Sequence, residues 1–415
     1  MNRRHKYLCL LIAPLLVMVG CGDLDAPSNE AVTGGELVVD FSAPLMKQTL
    51  IDQGIANENS TVFGYKAYKI PYTTHDEEGN EVRVSGLFVI PTGMPEAIEQ
   101  LGLSMVSDDH GTIFKNSEAP TVLAKYTGVP DGAPVLLTSL GGFATLQPDY
   151  IGFGDSSDHY HPFILKKSLG SATVDFIHAV EAFAQTNGIK LNQQLFLTGY
   201  SEGGYAALAT LQQIEEEAEL SVAMSAPMAG PYDLNLTAFG VLSNPTLSVP
   251  SFMADIGYAY AKAYDYEVAS IINEPYASKL PTLLDGTHDR LSIDQELPHQ
   301  TTGDTGLFNP TFVQNFFSDS NYWFRQEMVN NSVHNWAPQT PVALVQCQGD
   351  EVIPYVISEV TQAQMQYQGA SNVELIPVEA TLGLDHNLTH TMCATYAYGI
   401  VTQLFSNYRK ATIGY

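Results

Sequence analysis

Gln194-Leu195-Phe196-Leu197-Thr198-Gly199-Tyr200-Ser201-Glu202-Gly203-Gly204-Tyr205-Ala206-Ala207-Leu208-Ala209-Thr210-Leu211 is the stretch that decides the fold. Its first five residues read as a short apolar strand, and the run after Gly204 as an Ala/Leu-rich helix start. Between them Gly199-Tyr200-Ser201-Glu202-Gly203 sets a serine in the pattern G-x-S-x-G. A turn that sharp requires the positions two before and two after the serine to be nearly free of side chain. It pushes the hydroxyl out of the sheet and aims the next backbone N–H at a reacting carbonyl. Five residues alone recur by chance; the flanking strand and helix give this serine its meaning.

Working outward, residues 61–73 and 81–90 read as strands rich in Val, Tyr and Phe, joined by Asp76-Glu77-Glu78-Gly79-Asn80. That hairpin predicts an antiparallel start to the sheet. Residues 101–107 and 143–150 are two further strands. From there apolar strands alternate with helical stretches, which predicts βαβ units and a parallel sheet. Residues 171–186 have helical periodicity, with Gly188 as the stop, and 221–226 form the strand after the serine helix. Residues 231–341 break the alternation with a Tyr-, Phe-, Asn-, Ser- and Pro-rich insertion carrying two aromatic helices, 251–266 and 311–328. Alternation resumes with a strand at 341–346, a helix at 356–367, a strand at 372–378 and a last helix at 391–408. The fold class expected is α/β: an α/β-hydrolase fold, mostly parallel, with antiparallel first strands and a large helical cap insertion after the sixth strand. The cap would roof the pocket and supply apolar walls. The expected layout is 1–21 signal peptide and lipobox, 22–60 tether or N-terminal segment, 61–230 and 342–415 hydrolase core, and 231–341 cap.

A serine is a poor nucleophile until a base takes its proton, and that base needs a carboxylate to hold its tautomer. In this fold the order is Ser, acid, His, each on a loop after a strand. Asp350 closes Gln346-Cys347-Gln348-Gly349-Asp350 directly after an apolar strand and fits the acid. Glu351 beside it should point away. His386 and His390 both lie between the last strand and the last helix. Their spacing of four would also suit a metal pair, but no third ligand motif accompanies them, so no metal site is assigned. His390, flush with the final helix, is the preferred base, and His386 is the alternative. The oxyanion needs two donors: the N–H of Glu202, and one from the loop Asp108-Asp109-His110-Gly111-Thr112, where Thr112 is the candidate. Asp158-His159-Tyr160-His161 is read as solvent or packing residues rather than metal ligands.

The N-terminus reads as an export signal. Arg3, Arg4 and Lys6 precede an apolar run at 7–19 too short for a comfortable permanent span. Val17-Met18-Val19-Gly20-Cys21 is similar to a bacterial lipobox, which would make Cys21 the lipidated new N-terminus and 22–35 its tether. Gly22 rather than Asp after that Cys implies, by resemblance to such lipoproteins, the outer membrane; periplasmic or secreted forms are the alternatives. With Cys9 lost in the signal and Cys21 lipidated, Cys347 and Cys393 remain, either as one bridge in an oxidising compartment or as two buried thiols. Cys347 leads to Asp350 and Cys393 follows His390, so a bridge would tie the acid loop to the base loop. The formal charge is −27, and losing three signal cations takes it to about −30. Such a surface repels nucleic acids and other polyanions and argues against a polyanionic substrate; adaptation to a saline habitat would give the same charge.

Asp109-His110-Gly111-Thr112, Gln147-Pro148-Asp149-Tyr150-Ile151-Gly152-Phe153-Gly154, the serine motif through Gly204, Ala229-Gly230-Pro231-Tyr232-Asp233-Leu234, Asn335-Trp336-Ala337-Pro338, and the Asp350 and His390 loops together resemble the secretory lipase and esterase branch of the α/β-hydrolases. They span most of the mature chain in family order. The resemblance implies nucleophile, acid and base roles for Ser201, Asp350 and His390. The family's last motif has a Cys three residues after its histidine, which His390 and Cys393 match. Asp108-Asp109 depart from a usually more apolar pattern. The function expected is hydrolysis of a small-molecule or lipid carboxylic ester through an acyl-enzyme, with no cofactor, no nucleic-acid partner and membrane contact only through the lipid anchor. Two rivals stand beside it. A prolyl-oligopeptidase-like peptidase shares the triad but needs a propeller, which the roughly 40 residues between Cys21 and Thr61 cannot make. A non-catalytic binding protein on the same scaffold would be separated by serine labelling.

Overall fold

The computed structural model describes residues 34–128, 132 and 135–415. Nine strands form one sheet: β1 (Glu36–Phe41), β2 (Gly64–His75), β3 (Glu81–Thr92), β4 (Leu103–Asp109), β5 (Ala144–Pro148), β6 (Leu191–Tyr200), β7 (Val222–Met228), β8 (Val342–Gln346) and β9 (Val373–Pro377). Their spatial order is β1-β2-β3-β5-β4-β6-β7-β8-β9. β1, β2 and β3 pair antiparallel and β3 meets β5 antiparallel, while β5-β4-β6-β7-β8-β9 run parallel. The mostly parallel sheet with antiparallel first strands is therefore as expected. β4 and β5 swap places in the order, and β6 lies inside the sheet with β4 on one side and β7 on the other.

Two elements differ from the sequence expectation. The N-terminal segment beyond the tether read over 22–35 adds a strand and a helix ahead of residue 61, because Glu36-Leu37-Val38-Val39-Asp40-Phe41 pairs with β2 and the helix Ala43–Asp52 buries Met46 and Leu50. Tyr65, Ala67, Leu87 and Val89 receive them as a separate apolar cluster. The insertion thus follows the seventh strand, not the sixth. The single helix expected over 311–328 is two, Pro310–Ser318 and Trp323–Asn330. Asp319 breaks it: its side chain accepts the Asn321 N–H at 2.8 Å and its carbonyl the Tyr322 N–H at 3.1 Å, a local turn competing with the helix. Residues 1–33, including Cys21 and the lipobox, lie outside the described residues.

Helices cover both faces of the sheet. On one, Lys166–Thr186 and Glu202–Glu217 pack Phe176 and Phe183 against Tyr72, Tyr68 and Phe88. On the other, the last helix, His390–Ile413, sets Phe405 against Phe143 and Phe196. The insertion docks through buried polar ties rather than by apolar contact alone. Tyr205 donates to Asn331 O at 2.6 Å, Tyr260 to Ile164 O at 3.0 Å, and Lys166 N–H to Asn331 Oδ1 at 2.9 Å. Among the described residues no helix is long and apolar enough to cross a membrane.

Candidate active site

At the C-terminal end of β6 the chain turns straight into the helix Glu202–Glu217, and Ser201 occupies the turn with φ 60 and ψ −118. A non-glycine residue held there costs on the order of 1–3 kcal/mol and persists only where its surroundings fix it. The surroundings do so. A Cβ on Gly199 or Gly203 would run into the Asp109 carbonyl, and one on Gly204 into the Met228 carbonyl. The glycines let β4, β6 and β7 close around the turn, and Ser201 N–H donates to Met228 O at 2.9 Å. The half-buried Ser201 is left facing the loop after β4: a Cβ on Gly111 would lie 2.9 Å from Tyr200 O and 3.8 Å from Ser201 Cβ.

The loops after β8 and β9 meet beside this turn. Asp350 is buried, and its Oδ1 accepts the N–H groups of Val352 and Ile353 at 3.0 and 2.8 Å. Its Oδ2 accepts Gln346 Nε2 at 3.0 Å and lies 2.7 Å from His390 Nδ1. With a proton on Nδ1 for that carboxylate, the other ring nitrogen keeps its lone pair. His390 opens the last helix, whose N-cap is Thr389. Its N–H donates to Glu351 Oε2 at 3.0 Å, its carbonyl accepts the Tyr200 hydroxyl at 2.6 Å, and the two rings lie 5.0 Å apart. Tyr200 adjoins Ser201, so acid, histidine and serine turn are neighbours. Glu351, expected to point away, instead anchors the His390 backbone, because a carboxylate at a helix start satisfies an orphan N–H.

Two further ties hold the loops together. Cys347 and Cys393 form a disulfide across them, as the cysteine count anticipated. Glu379, which sequence reasoning missed, accepts Gln348 N–H at 2.8 Å, Gly349 N–H at 3.1 Å and Leu388 N–H at 3.0 Å. Nothing in its local sequence distinguishes it from a surface glutamate. His386, by contrast, is exposed and, among the described residues, pairs with the still more exposed Asp385 at 3.1 Å.

Asp108 and Asp109, which precede His110, belong to β4 and are buried beneath the turn rather than lining its mouth. Asp108 accepts Gln147 Nε2 at 2.9 Å and the Tyr398 hydroxyl at 2.7 Å. Asp109 accepts Thr173 Oγ1 at 3.0 Å, and burial pushes its pKa well above the usual carboxylate range. The His110-Gly111-Thr112 segment then passes the serine turn, with the His110 ring 4.2 Å from that of Tyr150. Glu202, first residue of the helix, is fully buried and its Oε1 lies 2.7 Å from His161 Nε2. His161 Nδ1 in turn donates to Ile151 O at 2.9 Å. The packing role read for His161 is right in kind, but no local pattern marks the residue after the serine as its partner.

Two recesses are walled in part by the insertion. One lies largely within it and is almost wholly apolar; Pro231 and Leu234, just beyond β7, form one wall and Ala238, Met253, Phe312 and Phe324 others. The second is mixed, with His159, His161, Asp255 and Asp285 set among apolar and aromatic side chains, and lies between the loop after Thr112, the segment Gly152 to His161 and the insertion.

Solved structures share the fold. A Legionella pneumophila protein provisionally named a hydrolase is 23% identical with TM-score 0.79, covering 91% of this chain and 98% of its own. The rice cell wall degrading esterase LipA of Xanthomonas oryzae is 22% identical with TM-score 0.74, covering 93% of this chain and 98% of its own. Candida antarctica lipase A is more distant, 16% identical with TM-score 0.57, covering 82% of this chain and 76% of its own. No curated protein sequence matches. The sequence profile of the family described as "Secretory lipase" matches residues 133–411, more than half of the chain. A sheet of this topology with its serine turn at the end of β6, matched by that profile, means that the chain belongs to the secretory lipase family, within the esterase and lipase class of serine hydrolases.

Proposed function

We propose that this protein hydrolyses carboxylic esters through an acyl-enzyme on Ser201. In this reading Nε2 of His390 takes the Ser201 proton as the hydroxyl attacks the ester carbonyl, and later returns it to the leaving alcohol. Asp350 holds the His390 tautomer and steadies its charge. The N–H groups of Glu202 and Thr112 receive the oxyanion. Water then attacks the acyl-enzyme by the same proton route in reverse, releasing the acid. The observation that carries the reading is the His390–Asp350 pair at 2.7 Å beside Tyr200, next to a serine held at φ 60. The apolar recess starting at Pro231 and Leu234 suits the acyl chain. Export, with lipid attached at Cys21, belongs to the same proposal and accords with a disulfide-bonded chain.

The test is Ser201→Ala together with labelling by an organophosphonate. Loss of a triad member costs ~10⁴-fold or more in kcat. The folded variant is expected to lose ester hydrolysis to that extent, and the phosphonate to mark Ser201 alone. Near-normal turnover by the variant would remove the mechanism, and a labelled, active enzyme that prefers peptide amides would favour the peptidase.

A further inference from the structure

The helix Pro250–Ala263 separates two kinds of surface. Met253 and Ile256 wall the apolar recess, whereas Asp255 and Tyr258 wall the mixed cleft that also carries His159, His161 and Asp285. Asp255 is 4% exposed, and it accepts no hydrogen bond from any described residue. Its neighbour His161 cannot serve it, since one ring nitrogen is taken by Glu202 at 2.7 Å and the other by Ile151 O at 2.9 Å. One histidine therefore stands beside two buried carboxyl groups, with both of its ring nitrogens engaged away from Asp255. A carboxylate in that position, without donors, is costly unless a cation or a proton meets it.

The rest of the cleft suits a cation. Phe114, Phe153 and Tyr258 offer aromatic surface, and Asp285 adds a second acid at the rim. Anionic ligands would face both aspartates. Position also matters. Ile113 and Phe114 directly follow Thr112, and His161 holds the side chain of Glu202, so the cleft adjoins both proposed oxyanion donors. With the apolar recess taken by the acyl chain, the cleft is left for the alcohol portion.

We propose that the cleft is a subsite for a primary ammonium group on the alcohol portion of the ester, with Asp255 as its counter-ion. This rests on the esterase reading above and names the substrate class within it: esters of amino alcohols. Three N–H donors on one compact charge would satisfy the carboxylate that the protein leaves unserved.

The charge state sets a pH signature. Burial pushes Asp255 up to about 7, with His161 opposing and Glu202 adding to the shift. Burial works against charge on His161, but Glu202 beside it raises its pKa above the ordinary value. The groups facing Asp255 are these two, His159 and Asp285 across the cleft, and Tyr258 on its own helix. As pH rises through about 7, Asp255 loses its proton while an alkylammonium keeps its charge, so selectivity for the cation should rise.

The experiment compares 3-aminopropyl butanoate with butyl butanoate, an ester pair differing by –NH₃⁺ against –CH₃, from pH 5.5 to 8. The expected wild-type result is a kcat/KM ratio about tenfold in favour of the amino ester at pH 8, falling towards unity at pH 5.5. Asp255→Asn should flatten the ratio to within about twofold at all pH values, whatever its absolute rate. In parallel, 3-aminopropanol should raise the unfolding temperature of the wild type at pH 8 more than 1-butanol does. A wild-type ratio at or below unity at pH 8, with butyl butanoate hydrolysed, overturns the proposal, even if Asp255→Asn fails to fold. Hydrolysis of neither ester counts against the esterase reading, while the thermal comparison still decides whether the cleft takes an ammonium.

Discussion

His390 and His386 stand four residues apart on one loop, and what surrounds each ring separates their expected contributions. His390 has a buried carboxylate 2.7 Å from Nδ1, its N–H on Glu351 and its carbonyl under the Tyr200 hydroxyl. His386 has an exposed neighbour and no other anchor. His390→Ala is expected to lower kcat/KM on a soluble ester by several orders of magnitude, ~10⁴-fold being typical of a triad member. His386→Ala should cost at most about tenfold, or ~1.4 kcal/mol of transition-state stabilisation. Steady-state kinetics of the two variants decides, and the opposite ranking would move the base to His386. Glu202 shows a second residue-scale point. Its backbone N–H is the proposed oxyanion donor, while its carboxylate is held by His161, so the amide is braced from behind.

Elements bring the proposed triad to the site: Ser201 directly follows β6, Asp350 lies on the loop after β8 and His390 begins the last helix. What keeps the two last loops in register is the Cys347–Cys393 bridge with Glu379 beneath it. The bridge joins residues 46 apart in sequence, a loop whose closure in the unfolded chain is worth about 4 kcal/mol in the chain-entropy account. Cys347→Ser with Cys393→Ser is therefore expected to lower the unfolding free energy by 2–5 kcal/mol, to be read by denaturant titration against the wild type. Titration of the unreduced, unfolded wild type should find these two thiols unreactive. A double variant of unchanged stability would mean that the hydrogen bonds of Glu379 suffice alone.

For the molecule as a whole, the insertion walls two unlike recesses, one apolar and one of mixed lining towards the loop after β4. The apolar recess should set acyl-chain preference. A chain-length series of p-nitrophenyl esters measured on the wild type and on Ala238→Trp, which fills the recess from one wall, tests this. The variant is expected to lose at least about tenfold in kcat/KM on the longest acyl chains the wild type accepts and to keep its rate on acetate within about threefold. An unchanged series would place the acyl chain elsewhere. The formal charge of −27 acts at the same scale, favouring neutral or cationic substrates over anionic ones.

The serine turn, the hairpin before it, the alternation after it and the order Ser201, Asp350, His390 were all readable in the sequence because each is a local pattern: glycine spacing, hydrophobic period, position after a strand. Helix starts that borrow their caps from distant residues were not. The helix Lys166–Thr186 begins earlier than its periodicity suggests, since Lys166 N–H donates to Asn331 Oδ1 and Ser168 N–H to Glu77 Oε1, both at 2.9 Å. Glu379, Glu351, His161 and Asp255 escaped for the same reason. A carboxylate's role depends on which donors the fold brings to it, and those donors lie 9 to 41 residues away along the chain. The sequence by itself determined the sheet, the turn and the order along the chain of the residues proposed for the chemistry. Only the tertiary structure decided which charges are buried and which of them remain unserved, because desolvation and long-range hydrogen bonds have no local period.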